Sequence, residues 1–239
     1  FEAIGNGRVH LQVLRNVADP VRTFEVTNGD WSSLRRALEA LPYDGATNLG
    51  DWRPIPGVAE YLLVSDGLST WGDGAFPGLA TGQRLYAIDS RGSGSDVARL
   101  AALADDRGGR RIALAGKGGL ERAADALLAA TARIVALQGE GVTDLVPQAW
   151  DVDAGRVRVA GRLTEPSGTV TIVVDTGMGR PVTTTVPFTA GDEGGARIGA
   201  LWAQWRIASF AAAPERHVAE VTRLGQLFGV VTPGTSLLV

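Results

Sequence analysis

Cysteine is absent from the 239 residues, and histidine occurs only twice. Disulfide bonds, thiolate metal sites and cysteine nucleophiles are therefore excluded, while the compartment is left open. His10 and His217 lie far apart and lack the spacing of a zinc site or a serine triad, so we interpret each as an ordinary structural residue. The sequence offers little support for zinc-dependent hydrolysis.

Long apolar runs and clusters of charge are missing as well. No run approaches the ~20 residues that a membrane-spanning helix needs, so no transmembrane segment is predicted. The net charge is -3 and the 23 basic residues are scattered, which argues against a nucleic-acid partner. Hydrophobic residues make up 45% of the chain, enough for the core of one large domain or two ordinary ones.

The first half of the chain alternates predicted strands with predicted helices. Strands are predicted at residues 9–14, 23–26, 61–65, 84–89 and 110–115. Helices are predicted to begin after Asp30 and Ser95, each a candidate N-cap. The apolar run that begins at Tyr61 is continuous, which predicts a strand buried on both faces. This alternation predicts an α/β fold with a doubly wound, mostly parallel sheet.

The second half has a different pattern. A helix is predicted over residues 120–137, and period-two segments between 143 and 188 predict a small antiparallel β-unit. Two amphipathic helices follow, and we interpret Trp202 and Trp205 on the first of them as core residues. The chain closes on "VVTPGTSLLV", a predicted strand or docking segment. The predicted organisation is an α/β domain over 1–116, a connecting helix over 117–141, and the β-unit with its C-terminal helices over 142–239.

Two loops present oxygen atoms where an α/β fold carries its functional groups. "YDGATNLG" contains Thr47, and "LLVSDG" ends a predicted strand with Asp66. In such sheets the functional loops leave the carboxyl ends of the strands. A hydroxyl and a carboxylate are ligand types that Mg²⁺ prefers. A plain turn is the alternative interpretation of each loop.

The order of these elements and loops, over about residues 9–115, resembles the von Willebrand factor type A domain. "RIGALWAQWRIASF" and "LGQLFGVVTPGTSLLV" resemble the C-terminal region of proteins that pair a VIT domain with a type A domain, such as inter-alpha-trypsin inhibitor heavy chains and their bacterial relatives. The resemblance implies that Thr47 and Asp66 are ligands of Mg²⁺, and that an acidic side chain of a protein partner also binds the ion. It also implies that Asp44, Asn48 and Ser69 belong to the partner-binding surface.

One motif of that family is missing from the sequence. The family supplies further metal ligands from an Asp-x-Ser-x-Ser motif at the end of its first, central strand, and "DSRGSGS" at residues 89–95 does not fit it. The family places that strand between the segments at 9–14 and 61–65. We therefore expect an incomplete metal site, with Mg²⁺ bound weakly or not at all by this chain alone. We also expect the missing strand to come from a separate polypeptide or from an upstream segment, since its absence leaves strand edges exposed.

Three functional interpretations follow. The first is a non-enzymatic module for protein interaction or adhesion. The alternatives are a Mg²⁺-dependent α/β hydrolase or phosphoryl-transfer enzyme, which would use the same strand-end aspartates, and a structural scaffold with a decayed metal site. The sequence fixes no compartment, although the resemblance to secreted and envelope proteins favours an extracytoplasmic or cell-envelope location.

Overall fold

A computed structural model describes most of the chain. The described residues are 5–42, 44–72, 76–80, 83–105, 108–114, 116, 118–129, 132–152, 154–177, 179–191 and 195–232. Their contacts divide the chain into two compact units, residues 1–55 with 68–78 and residues 56–67 with 79–239.

The first unit contains a short antiparallel hairpin and one helix. Strand β1 (Gly7–Leu11) pairs with β2 (Arg22–Val26), with Val9 opposite Phe24. Helix α1 (Ser32–Glu39) buries Leu34, and Asp30 accepts a hydrogen bond from the Ser32 N–H at its start. The strand predicted at 9–14 therefore begins and ends earlier than expected. A 3₁₀ turn at Leu49–Asp51 follows the loop that contains Thr47.

The second unit begins with a three-stranded parallel sheet. Its strands are β3 (Glu60–Ser65), β4 (Arg84–Asp89) and β5 (Arg111–Ala113), in the order β3-β4-β5. Every residue of β4 after Arg84 is buried, as expected for the central strand of a parallel sheet with helices on both faces. The predicted strands of this region are confirmed within two residues.

Two helices cover opposite faces of the parallel sheet. Helix α2 (Val97–Asp105) packs Leu100 and Ala104 against Ala87 of β4. Helix α3 (Gly119–Leu128) packs Ala123 against Tyr86, Ile88 and Ile112. Alternate residues of β4 thus contact different helices, because successive side chains of a strand point to opposite faces.

The helix predicted over 120–137 is wrong in its second half. Helix α3 ends at Leu128, and Arg133–Glu140 form strand β6. Ala129 closes the helix with extended dihedral angles, φ -72° and ψ 127°. Ile134 and Leu137 then pair with Val174 and Ile172 of a later strand. Long-range strand pairing outweighs the local helical spacing of these apolar residues.

The antiparallel strands predicted after residue 142 are confirmed. They are β7 (Val142–Pro147), β8 (Val159–Leu163), β9 (Ser167–Asp175) and β10 (Val182–Thr189). They form two sheets, with the orders β10-β9-β6 and β7-β8. Gly139 and Gly161 allow close approach to β7, since a Cβ at either position would lie 2.7 Å from a Val142 side-chain atom.

Two helices pack against the β7-β8 sheet. Helix α4 (Gly195–Ser209) buries Trp202, which contacts Val146 and Leu224 and donates a 2.9 Å hydrogen bond to the Asp144 carbonyl. Helix α5 (Val218–Phe228) supplies Leu224, and a 3₁₀ turn at Pro214–Arg216 precedes it. The core role predicted for Trp202 and Trp205 is confirmed. The closing segment from residue 233 onward lies outside the described residues.

The fold is a mixed α/β arrangement with a parallel three-stranded sheet and, in the described residues, five α-helices. Within the same ranges, every helix is too short or too polar to span a lipid bilayer.

Candidate functional site

Asp66 lies at the carboxyl end of β3 in a tightly held turn. Its carbonyl accepts a 2.8 Å hydrogen bond from the Asp96 N–H, and the Ser65 hydroxyl accepts one from the Gly67 N–H. Gly67 has φ +81°, and a Cβ there would lie 2.8 Å from the Asp96 carbonyl oxygen, so this turn requires glycine. The Asp66 carboxylate lies 3.4 Å from the Arg91 guanidinium. The carboxylate is thus already partly neutralised by a cation.

Asp89, at the end of β4, is fully buried and extensively bonded. It pairs with Arg111 at 2.6 Å, and it accepts hydrogen bonds from the Ser95 hydroxyl and the N–H groups of Arg91 and Gly92. Burial acts to raise the pKa of Asp89, but the hydrogen bonds from Ser95, Arg111 and the backbone outweigh it and lower the pKa to about 2. Asp89 therefore fixes the 90–95 loop to β5.

The N-cap predicted for helix α2 is wrong by one residue. Asp96, not Ser95, accepts the capping hydrogen bond, from the Arg99 N–H at 2.9 Å. Ser95 instead donates to Asp89 at 2.6 Å. Because the Ser95 hydroxyl satisfies a buried carboxylate, the loop uses it for tertiary bonding and not for capping.

The loop that contains Thr47 belongs to the first unit and is held by hydrogen bonds to residues 69–71. The Thr47 N–H donates to the Thr70 hydroxyl, and the Thr47 carbonyl accepts from the N–H groups of Thr70 and Trp71. The Ser69 hydroxyl donates to the same carbonyl at 3.3 Å. The structure thus brings together Thr47 and Ser69, two of the residues that the resemblance selects.

Asn48 and Asp44 have structural partners of their own. Asn48 accepts a 3.0 Å hydrogen bond from the Gly50 N–H and so caps the 3₁₀ turn. The Asp44 carboxylate, which is exposed, pairs with Arg15 at 2.6 Å. Asp66, which the resemblance implies as a metal ligand, belongs to the second unit. The partner-binding role of Asp44, Asn48 and Ser69 stays a prediction.

Thr47 and Asp66 do not make a metal centre by themselves. They supply two oxygen side chains, and one of these already lies next to Arg91. Across the described ranges, no three His, Cys, Asp or Glu side chains are grouped so that they could hold a metal ion. Mg²⁺ in proteins needs six ligands, several of them waters, so further protein ligands would have to come from outside these residues.

Strand β3 leaves one apolar face of the parallel sheet open. Leu62 and Val64 lie opposite Tyr86 and Ile88 of β4, which α3 covers, but they are themselves 56% and 65% exposed. Leu63, on the other face, packs against the α2 cluster. The prediction that this strand is buried on both faces is therefore wrong for one face, because β3 is the last strand of the sheet in the described residues and α3 packs over β4 and β5.

A cleft that the sequence did not indicate lies beside the amino ends of β3 and β4. It has a volume of about 770 Å³ and is lined by Asp105, Arg133 and Asp151, among others. Arg133 donates to the carbonyls of Asp105 and Gly109 and to the Asp151 carboxylate. Burial raises the pKa of Asp105 to about 6; Arg133 acts to lower this pKa and Asp151 to raise it. Arg133 thus connects α2, the loop before β5 and the segment after β7.

The chain has no match among protein-family models, curated proteins or solved structures. The resemblance to the von Willebrand factor type A domain rests on the sequence motifs alone.

Proposed function

We propose that this chain is a non-enzymatic protein-interaction module whose parallel sheet receives an additional strand beside β3. The observation that carries the proposal is the exposure of Leu62 and Val64 on a strand that ends a parallel sheet. Parallel sheets are almost always covered on both faces. In the described residues no strand pairs with the outer side of β3, and an apolar edge of this kind is a template for a further strand.

The pattern of burial supports strand addition at this edge. All of β4 except Arg84 is buried, and β4 has a strand on each side. On the face that carries Leu62 and Val64, α3 forms a core cluster with residues of β4 and β5, and this cluster includes no described residue of β3. A strand added at β3, together with the chain that follows it, would cover this apolar surface as α3 covers Tyr86 and Ile88.

The doubly wound fold of the von Willebrand factor type A domain fits this interpretation. In that family the strand missing here is central to the sheet, and the resemblance would assign β3 as one of its neighbours. On the same interpretation, Thr47 and Asp66 would supply two Mg²⁺ ligands, and the added strand would supply the remaining protein ligands. Mg²⁺ would then bind an acidic side chain of the partner, near Asp44, Asn48 and Ser69.

The test compares the 239-residue chain with a form extended upstream through the added strand. In the extended form, Val64→Lys should lower the free energy of unfolding by about 2–4 kcal/mol, because it buries a charge in an apolar contact. In the chain alone the same change should stay within about 0.5 kcal/mol of zero. Val135→Lys, at a similarly exposed residue of β6, is the control and should have the same effect in both forms.

A Val64→Lys effect that is equal in the two forms would overturn the proposal. The metal component is measured separately, by calorimetric titration of Mg²⁺ and Mn²⁺ into both forms. Binding only in the extended form, abolished by Asp66→Ala, would support the ligand assignment. If Asp66→Ala changes neither metal nor partner binding, the scaffold interpretation is the better one.

An α/β enzyme is the second candidate, favoured by one observation. A carboxyl group whose pKa is raised to about 6 by burial, in the cleft that Arg133 lines, is typical of a general acid. However, the cleft lies at the amino ends of the strands, where α/β folds seldom carry catalytic groups. Metal-dependent turnover of a phosphate ester, lost in Asp105→Asn, would favour this candidate.

A further inference from the structure

Strand β10 forms the outer edge of the second antiparallel sheet. It pairs with β9 over Val182–Thr189 with no shift of register, and in the described part of the chain no strand pairs with its other side. Seven of its eight residues are exposed, Phe188 being the exception. Val182 and Val186 are 53% and 47% exposed and lie on one face. A long, regular edge of this kind is open to pairing with another chain.

Between its two prolines, this edge lacks the usual protection against pairing. Natural edge strands carry charged residues, lysine above all, or proline, but Val182–Val186 contains neither. Two identical copies of the strand can therefore approach without placing like charges opposite each other.

The edge is also a palindrome. Residues 181–187 read Pro-Val-Thr-Thr-Thr-Val-Pro, which is the same in both directions. If two copies pair antiparallel with Thr184 opposite Thr184, each Val182 faces the partner's Val186 and each Thr183 faces the partner's Thr185. Valines then face valines, and threonines face threonines. This match is specific to a second copy of the same strand, as a two-fold symmetric interface requires.

The backbone of β10 has the orientation that this register needs. The Ala190 N–H donates to the Pro166 carbonyl at 2.7 Å, which places residue 190 among those that bond toward β9. Because bonding direction alternates along an antiparallel strand, the backbone groups of Thr183 and Thr185 point outward. Pairing around Thr184 would join these groups in about four hydrogen bonds. Pro181 and Pro187 also point outward and lack N–H groups, so the pairing ends at both prolines.

We propose that two copies of this chain associate through antiparallel pairing of Val182–Val186, so that their β10-β9-β6 sheets join into one continuous sheet. The overlap is short and the interface small, so the dimer should be weak and dependent on concentration. The proposal does not rest on the proposed function, because β10 and β3 belong to different sheets.

Sedimentation velocity, run over about 10 µM to about 1 mM protein, tests the proposal. The unmodified chain should shift from monomer to dimer over this range. Thr184→Lys places two lysines opposite each other on the two-fold axis and should weaken association at least about tenfold. Thr184→Glu should do the same, and an equimolar mixture of the two variants should restore the dimer, because unlike charges then pair across the axis.

Thr189→Lys is the matched control, since it adds the same charge to the same strand outside the palindrome and should leave association unchanged. Circular dichroism of each variant checks that the fold is kept. The proposal is overturned if the unmodified chain stays monomeric throughout the range, or if Thr184→Lys associates as the unmodified chain does. Association that Val64→Lys abolishes and Thr184→Lys does not would assign the contact to β3 and would also overturn it.

Discussion

Replacing Asp105 by Asn should stabilise the protein at neutral pH. The pKa of this carboxyl rises from 3.8 to about 6, mainly through burial, with Arg133 opposing the rise and Asp151 adding to it. A rise of this size in the pKa corresponds to about 3 kcal/mol. Because the side chain is 33% exposed, solvent screening reduces this to about 1 kcal/mol. Asp105→Asn should therefore raise the free energy of unfolding at pH 7.5 by about that amount.

The sign follows from the direction of the shift. The folded state holds the Asp105 proton more tightly than the unfolded state does, so the stabilisation by this group is complete below pH 3.8 and is lost as the pH rises through about 6. Urea unfolding at pH 7.5 and pH 4.5 measures both ends of this window. The unmodified chain should gain about 1 kcal/mol from Asp105 on acidification, and Asp105→Asn should lack this gain.

Asp125→Asn on the exposed surface of α3 is the control for removal of an acidic charge. The reasoning would be refuted if Asp105→Asn were less stable than the unmodified chain at pH 7.5. It would also be refuted if both proteins had the same pH dependence. The first result would mean that the Arg133 ion pair outweighs the burial of Asp105, and the second that the two effects cancel.

Two further changes test the packing of the second unit by urea unfolding. Gly109→Ala should cost more than about 2 kcal/mol, because the new Cβ would lie 1.8 Å from the Leu85 carbonyl oxygen; a neutral result would contradict the close approach of this loop to β4. Asp89→Asn should cost about 3 kcal/mol at pH 7, because it leaves Arg111 without its buried partner. The unmodified chain should lose stability as the pH falls from 3.8 toward 2, and Asp89→Asn should not show this loss. If the free energy of unfolding of both proteins depends on pH in the same way over this range, the result would count against the Asp89–Arg111 pair.

The strands of the parallel sheet could be predicted because their signals are local. Residues 85–88 form an apolar run between Arg84 and Asp89, and β4 has the predicted bounds, Arg84–Asp89, in the structure. The exposure of side chains could not be predicted in the same way. The apolar run of β3 predicts a strand as buried as β4, yet Leu62 and Val64 are exposed because β3 is the last described strand of the sheet. The sequence of a strand does not say whether it has a neighbour on each side.

The errors share one physical cause, which is competition from distant residues. Ile134 and Leu137 fit a helix by spacing, but β9 pairs with them from more than 30 residues away. Ser95 is a good N-cap residue, but the buried Asp89 takes its hydroxyl. The β-branched pair Ile134–Val135 directly after Arg133 was the one local signal for β6.

The candidate site could be predicted only in part from the sequence. The link between Thr47 and Ser69 is a tertiary contact of two loops, and the family motif selected both residues in advance. The cluster of Asp105, Arg133 and Asp151 was missed, because its members are separated by 28 and 18 residues and follow no motif. Its effect on the pKa of Asp105 depends on burial, which no local pattern encodes.

Amide hydrogen exchange at β3 tests the central claim most directly. It is measured by mass spectrometry on the chain alone and on the form extended upstream, with the amides of β5 as an internal reference. If a strand is added at β3, exchange over residues 62–65 should slow by about 100-fold or more in the extended form, with a smaller change at residues 111–113. Equal exchange at β3 in the two forms would contradict the proposal that this edge receives a strand.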